Sequence, residues 1–207
     1  RSITCAACHS TLGVEVEGIA LLKKYEKAEF TEPPIPLGQS GVLEGSTWTV
    51  VGFLQRYVEE EGTRYFWDEY LLLEETSGSY AWLTSDSEGW KFGKTLEAVP
   101  EVRGQTAIWN KEKYPLTEKG NAITDYVLGE FNWRIMQGER ASYRTYKRGN
   151  TVLSMEKTAS EISWSCLEEI SPAALSAAFK IKVPPGGGGS GFSGLSMPAS
   201  GLGSAAT

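Results

Sequence analysis

After a proline-rich segment at residues 32–36, apolar and polar side chains alternate along the chain with a period of two. Such alternation indicates half-buried β-strands, because successive side chains of a strand point to opposite faces. Charged or glycine-containing turns separate the alternating runs at intervals of about 10 residues, as in small sandwiches and barrels. The predicted strands of this first half are residues 47–58, 64–73, 79–84 and 90–92.

The second half of the chain repeats the pattern with shorter runs that glycines separate. These runs cover residues 105–109, 113–116, 122–128, 132–136, 141–147, 151–156 and 161–166. Ser171-Pro172 then predicts the start of a short helix, with serine as N-cap and Leu175 and Phe179 facing inward. We expect a mainly β fold in which two consecutive antiparallel meanders, about 37–100 and 101–183, form a sandwich or a pair of small barrels.

The two ends of the chain differ from this β-rich part, 37–183. Residues 14–30 have a helical composition that the prolines of residues 33–36 interrupt, since proline lacks a backbone donor. Residues 1–36 are therefore predicted to be a cysteine-bearing segment with a linker helix. Residues 184–207 consist almost entirely of Gly, Ser, Ala and Pro, which predicts a flexible tail.

Composition narrows the functional classes. Seven Trp, nine Tyr and seven Phe favour pleated, half-buried surfaces. A net charge of -6 argues against nucleic acid as partner, since nucleic-acid binders present a basic face. The sequence contains no apolar run long enough for a transmembrane helix and no signal peptide pattern, so we expect a cytoplasmic location.

The first residues contain a Cys-x-x-Cys-His segment, with cysteines at Cys5 and Cys8 and a histidine at His9. Two thiolates at this spacing can bind one tetrahedral zinc ion, although a structural site needs four ligands. The same letters match the covalent haem-attachment pattern, but no second histidine is present to serve as the distal ligand. A pair without any ligand role is the third interpretation.

The β-rich part lacks a histidine, so neither a Ser-His-Asp nor a Cys-His arrangement can form within it. Acidic residues near tryptophans are the remaining candidates for chemistry. A carboxylate beside apolar surface has a raised pKa, and together with an aromatic ring it can bind a cation. Alternatively, the tryptophans belong to the core and the acids lie at strand ends. The candidate ligand-binding residues are Trp67, Glu69, Glu130, Trp133, Glu161 and Trp164.

Several short sequence motifs occur in an order that is typical of one protein family. Gly45-Ser46-Thr47-Trp48-Thr49-Val50-Val51-Gly52 precedes Trp67-Asp68-Glu69-Tyr70-Leu71-Leu72 and Ala81-Trp82-Leu83; Gly129-Glu130-Phe131-Asn132-Trp133 precedes Leu153-Ser154-Met155-Glu156 and Glu161-Ile162-Ser163-Trp164-Ser165. Over residues 37–179 the chain resembles the bacterial family called domain of unknown function 4178. The resemblance implies a zinc-ribbon-like segment before the domain, with Cys5 and Cys8 as its second knuckle. It also implies a context of membrane proteins and polyamine-synthesis enzymes.

From these observations we predict a non-enzymatic binding or scaffolding module. Its ligand is expected to be a protein partner, associated with a membrane, or a small polyamine-like cation. The first alternative is a carboxylate-based hydrolase or lyase in a β-walled cleft. The second is a haem or redox protein that uses the cysteine segment.

Overall fold

The computed structural model describes residues 1–4, 10–15, 18–23, 32–159 and 161–186. Within these residues the chain forms strands and one short helix. They are β1 Ser2–Thr4, β2 Thr11–Glu15, β3 Gly18–Lys23, β4 Ser40–Leu43, β5 Ser46–Glu60, β6 Thr63–Glu74, β7 Tyr80–Asp86, β8 Gly89–Thr95, β9 Glu101–Arg103, β10 Thr106–Trp109, β11 Glu112–Phe131, β12 Arg140–Arg148, β13 Thr151–Lys157, β14 Ile162–Ile170 and α1 Pro172–Phe179.

Two four-stranded antiparallel meanders, β5 to β8 and β11 to β14, make up the centre of the fold. The meanders are hydrogen-bonded to each other at both edges, because β8 pairs with β14 and β11 pairs with β5. The eight strands therefore form one closed antiparallel barrel. The mainly β fold and the two meanders are confirmed. Closure pairs the outer strand of each meander and so leaves no open edge within these eight strands.

Side chains outside the barrel form two large apolar clusters. One covers β5 to β8 and includes Trp48, Phe53 and Tyr70, over which α1 places Leu175 and Phe179. The other covers β12 to β14 and is capped by the β9–β10 hairpin and the first half of β11. The predicted helix is confirmed, with Ser171 as its N-cap and Leu175 and Phe179 buried. No helix in the described part of the chain has the length and apolar character needed to cross a membrane.

Two predictions about β11 and its surroundings are wrong. Residues 113–116 and 122–128 belong to one 20-residue strand, which continues through Gly120 because this glycine is extended and packs below the Tyr143 ring. Residues 132–136 are not a strand. They connect β11 to β12, and the side-chain oxygen of Ser2 accepts a hydrogen bond from the Ile135 backbone in place of a ladder partner.

The N-terminal residues extend the sheet. β1 pairs with the end of β11, β2 with β1, and β3 with β2. The helix expected over residues 14–30 is therefore wrong for residues 14–15 and 18–23, since pairing with an available strand outweighs a weak helix propensity. Residues 16–17 and 24–30 lie outside the described residues. So do Cys5, Cys8, His9 and residues 187–207 of the predicted tail.

Residues 180–186 run along the barrel wall. The indole of Trp90 donates a hydrogen bond to the Pro184 carbonyl at 2.8 Å, and the Val183 backbone donates to Ser176 at 3.0 Å. Residues 184–186, the first residues of the predicted tail, thus lie against the barrel.

Closure depends on the close approach of β8 and β14 at Gly93. A Cβ atom at this position would overlap the carbonyl oxygen of Cys166 on the paired strand. We therefore expect Gly93→Ala to lower the free energy of unfolding by about 1–3 kcal/mol, the range for overpacked sites. Urea denaturation measures the change.

Gly120→Ala is the matched control, because the atoms nearest to its Cβ would belong to the Tyr143 side chain, which can move. We expect this variant to be less destabilised. Equal unfolding free energies for the two variants would show that the β8–β14 approach does not limit closure.

Candidate functional site

The inside of the barrel, here called the lumen, contains charged and aromatic side chains. Arg56 lies on β5 and Glu156 on β13, three strands away around the barrel. Their side chains nevertheless form an ion pair, with Nη1 of Arg56 2.5 Å from Oε2 of Glu156. Trp67 of β6 and Tyr143 of β12, also three strands apart, have ring centroids 5.9 Å apart. Contacts between opposite walls can form only through the lumen.

Arg56, Glu69 and Glu156 form what we call the charge cluster. The guanidinium of Arg56 donates two hydrogen bonds to Glu156, and its Nη1 lies 3.5 Å from Oε2 of Glu69. The indole of Trp67 donates a hydrogen bond to Glu69 at 2.6 Å. Arg56 is 3% exposed, whereas the side chain of Glu156 is 33% exposed. With all three groups ionised, the cluster carries one net negative charge.

Burial changes the acid–base properties of this cluster. It raises the pKa of Glu69; Arg56 and the Trp67 hydrogen bond oppose the increase, and nearby Glu156 adds to it. Burial alone would lower the pKa of Arg56, but the charges of Glu69 and Glu156 outweigh it and raise this pKa further. Arg56 is therefore a permanent cation.

A second acidic group lies towards one end of the lumen. The Tyr143 hydroxyl donates a hydrogen bond to Oε1 of Glu118 at 2.5 Å. Burial raises the pKa of Glu118, and the charges of Asp86, Glu88 and Glu60 raise it further. Since these acids come from β5, β11 and the β7–β8 turn, the strand ends that carry them meet at the same end of the barrel, which we call the mouth.

Lysines balance part of the negative charge at the mouth. Lys91 Nζ is 2.7 Å from Asp86, and Lys147 Nζ is 2.9 Å from Glu169 and 3.7 Å from Glu88. Seven acids nevertheless face three bases among the described residues of the lumen and mouth. They are Glu60, Glu69, Asp86, Glu88, Glu118, Glu156 and Glu169 against Arg56, Lys91 and Lys147.

Small side chains line the lumen on β7, β12, β13 and β14. Ser154 lies two residues before Glu156 on the same strand face, and its direct neighbours in the sheet are Thr145 and Ser165. Thr84 lies beside Glu69 on the neighbouring strand. All four side chains are only partly buried although they point inward. Solvent therefore reaches these side chains, and Ser154 lies next to Glu156 of the charge cluster.

The other end of the lumen is apolar. Leu54, Leu71, Val127, Phe131 and Ile135 are buried there, with Trp82 and Trp133 packed against them. Ser2 fixes the segment that carries Trp133 and Ile135, since its hydroxyl donates to the Trp133 carbonyl and accepts from the Ile135 backbone. Apolar side chains therefore fill this end of the lumen, whereas the charged groups lie towards the mouth.

The sequence of the barrel matches a known protein family. A family model described as domain of unknown function (DUF4178) matches residues 36–172, more than half of the chain and the whole of the barrel. The chain belongs to the DUF4178 family. No curated protein and no solved structure matches it.

The structure of this DUF4178 domain brings together only two of the six candidate ligand-binding residues, Trp67 and Glu69. Glu130 is exposed at the end of β11, opposite Ile3. Trp133 belongs to the apolar end of the lumen.

The remaining two candidates lie on β14 or in the turn before it. Glu161 is exposed in the turn before β14, where its backbone exchanges hydrogen bonds with Thr158. Trp164 is buried outside the barrel, stacked on Tyr146 with ring centroids 5.6 Å apart. Three glutamates that looked equivalent in the sequence therefore occupy three unrelated places.

Sequence reasoning missed Arg56, Glu118, Tyr143 and Glu156. Glu156 follows Met155 of an outer cluster, so at this position the alternation contained a signal for facing the lumen. The sequence neighbours of Arg56, Glu118 and Tyr143 belong to neither outer cluster, so the signal was weak there. What it lacked was an indication of which face points inward. The usual rule is that apolar residues face inward. For a strand whose apolar face lies outside the barrel, this rule predicts the wrong face for the lumen.

Removal of the Arg56 charge tests the cluster's energetics. We expect Arg56→Met to lower the free energy of unfolding by about 3 kcal/mol at pH 7.5, because it leaves two carboxylates close together without a counter-ion. The loss is expected to be smaller at pH 5, since a carboxylate with a raised pKa takes up a proton and loses its charge. Guanidinium denaturation at the two pH values measures both effects.

Arg64→Met is the control, since Arg64 forms an exposed ion pair with Glu59 on the β5–β6 hairpin. Exposed pairs contribute little, so its unfolding curve should match that of the wild type. A pH-independent loss in Arg56→Met, or a similar loss in Arg64→Met, would contradict the account of the charge cluster.

Proposed function

We propose that this domain is a non-enzymatic binding module that takes a small cationic ligand into the lumen of its barrel. The observation that carries the proposal is the excess of carboxylates around a partly solvated space that also contains aromatic rings. Trp67 and Tyr143 contribute the rings, and Glu69, Glu118 and Glu156 contribute the carboxylates nearest to them.

The charges and rings together favour an organic ammonium group. A carboxylate attracts a cation most strongly where water is partly excluded, because the effective dielectric constant is lower there. The face of a tryptophan or tyrosine ring adds cation–π attraction. Glu156 is the accessible member of the charge cluster, with one third of its side chain exposed. We expect the ammonium group between Glu156, Trp67 and Tyr143.

Binding suits this geometry better than proton-transfer catalysis does. An acid–base pair needs a space between its carboxyl groups for the reacting atoms. Here the guanidinium of Arg56 occupies that space and contacts both Glu69 and Glu156. Moreover, Glu130 and Glu161, the other two members of the carboxylate set predicted from the sequence, are exposed and outside the lumen.

The family resemblance extends the proposal to context. It leads us to propose a polyamine-like ligand, a cytoplasmic location and a membrane-associated partner. Zinc binding by Cys5 and Cys8 stays a prediction from the sequence, since both residues lie outside the described part of the chain. Among the described residues no group of three or more His, Cys, Asp or Glu side chains is arranged to hold a metal ion.

Isothermal titration with spermidine at low ionic strength tests the proposed function. We expect binding to the wild type, and about tenfold weaker binding to Glu156→Gln, because one charge-assisted contact contributes roughly 1.5 kcal/mol or more. Glu161→Gln removes the same charge from an exposed turn outside the lumen and is the matched control. Absence of binding to the wild type, or equal weakening in both variants, would overturn the proposal.

The affinity is also expected to depend on pH. Burial raises the pKa of Glu69 and of Glu118, so each carboxyl group becomes protonated at a higher pH than usual. A protonated carboxyl group no longer attracts a cation. Titrations between pH 8 and pH 5 should therefore show affinity falling as the pH is lowered, with a weaker dependence in Glu118→Gln. An affinity that is constant over this range would contradict the assignment of these carboxylates to the site.

A further inference from the structure

A row of three hydroxyl groups crosses the lumen wall next to the charge cluster. Thr145, Ser154 and Ser165 are directly opposed on β12, β13 and β14. All three share the strand face of Glu156 and Tyr143, which meet Arg56 and Trp67 through the lumen. They are only partly buried, and no hydrogen bond to another described residue engages their hydroxyl groups. We call these residues the hydroxyl row.

Polar atoms without partners also occur on the lumen face of β5 and β11. Thr124 of β11 is directly opposed to Arg56 of β5 and shares its face of the sheet. Thr124 is 1% exposed and Arg56 3% exposed, yet Oγ1 of Thr124 and Nε of Arg56 have no hydrogen-bond partner in the described part of the chain. Buried polar groups are normally paired, and an unpaired one carries a free-energy penalty. Two residues that pair across β5 and β11 therefore present unpartnered polar atoms on the lumen face of the barrel.

The chemistry of these groups restricts the ligand. A hydroxyl group both donates and accepts hydrogen bonds, whereas the Nε–H of arginine only donates. Ligand hydroxyls match the row and also the unpaired Nε of Arg56 and Oγ1 of Thr124. A plain alkyl amine would satisfy the carboxylates but would displace water from the row and leave its hydroxyls unpaired.

We propose that the ligand is a cation that also carries several hydroxyl groups, of the amino-sugar class. This inference rests on the proposed function, since it assigns the ammonium group to the same carboxylates. The ammonium group binds at Glu156 beside Tyr143, one face of the ring packs on Trp67, and the ring hydroxyls bind the row. Aromatic packing suits a sugar ring because one of its faces is formed by C–H groups.

Three small probes of similar size separate the contributions that the ammonium group and the hydroxyl groups make to the binding affinity. Glucosamine has the ammonium group and the hydroxyls, cyclohexylamine has only the ammonium group, and glucose has only the hydroxyls. We expect glucosamine to bind the full chain at least tenfold more tightly than either of the others, as measured by isothermal titration at pH 7.5. Quenching of tryptophan fluorescence provides a second measurement, because Trp67 lies at the site.

Substitutions in and near the hydroxyl row test whether its hydroxyl groups contribute to ligand binding. Ser154→Ala and Ser165→Ala should each weaken glucosamine binding about fivefold and leave cyclohexylamine binding unchanged. Thr124→Val keeps the shape of the side chain and should weaken glucosamine in the same selective way. Ser142→Ala is the control, since Ser142 lies on the outer face of β12, opposite Lys157. Melting temperatures near that of the wild type show that each variant is folded.

The outcomes distinguish this inference from the proposed function. If cyclohexylamine and glucosamine bind equally and the serine variants change neither affinity, the hydroxyl row is not part of the site and this inference is overturned, while cation binding stands. If neither these amines nor spermidine bind, the proposed function fails and this inference fails with it. Selective loss of glucosamine binding in the row variants supports both.

Discussion

One guanidinium group, held between carboxylates of opposite walls, determines how charge is arranged inside the barrel. Arg56 is almost completely buried and meets Glu156 from a strand three positions away around the barrel. Moving ionised groups out of water is unfavourable, and apolar residues of similar volume often give equal or greater stability. A buried network of this kind is therefore weak evidence for stability. Its placement beside partly exposed residues of the lumen supports the proposal that it holds charge for a ligand.

The lumen can be polar because the apolar core lies elsewhere. Trp48, Phe53, Tyr70 and their neighbours pack outside the barrel beneath α1, and Tyr146 and Trp164 pack beneath the β9–β10 hairpin. These two clusters bury the apolar surface that stabilises the fold. The elements that flank the two meanders are thus part of the reason why charged side chains are tolerated inside.

Local pattern was sufficient for the class of fold and insufficient for the site. Alternation and turn signals identified most strands of both meanders, and Ser171-Pro172 identified the helix, because these features depend on neighbours in the sequence. The pair Arg56 and Glu156 is separated by 100 positions and exists only because the two meanders close on each other. Trp67 and Glu69 were found because they are two residues apart on one strand face. Glu130 and Glu161 satisfied the same local rule, yet both are exposed, Glu130 at the end of β11 and Glu161 in the turn before β14.

The central claim is that the carboxylates around Arg56 are partly desolvated and face a cationic ligand. Carbon-13 NMR of the Glu69 side-chain carboxyl group, titrated against pH with and without saturating spermidine, tests it most directly. The account predicts a pKa above the usual value for glutamate in the free protein, and a decrease when the cation binds and stabilises the ionised form. An ordinary pKa that spermidine leaves unchanged would contradict it.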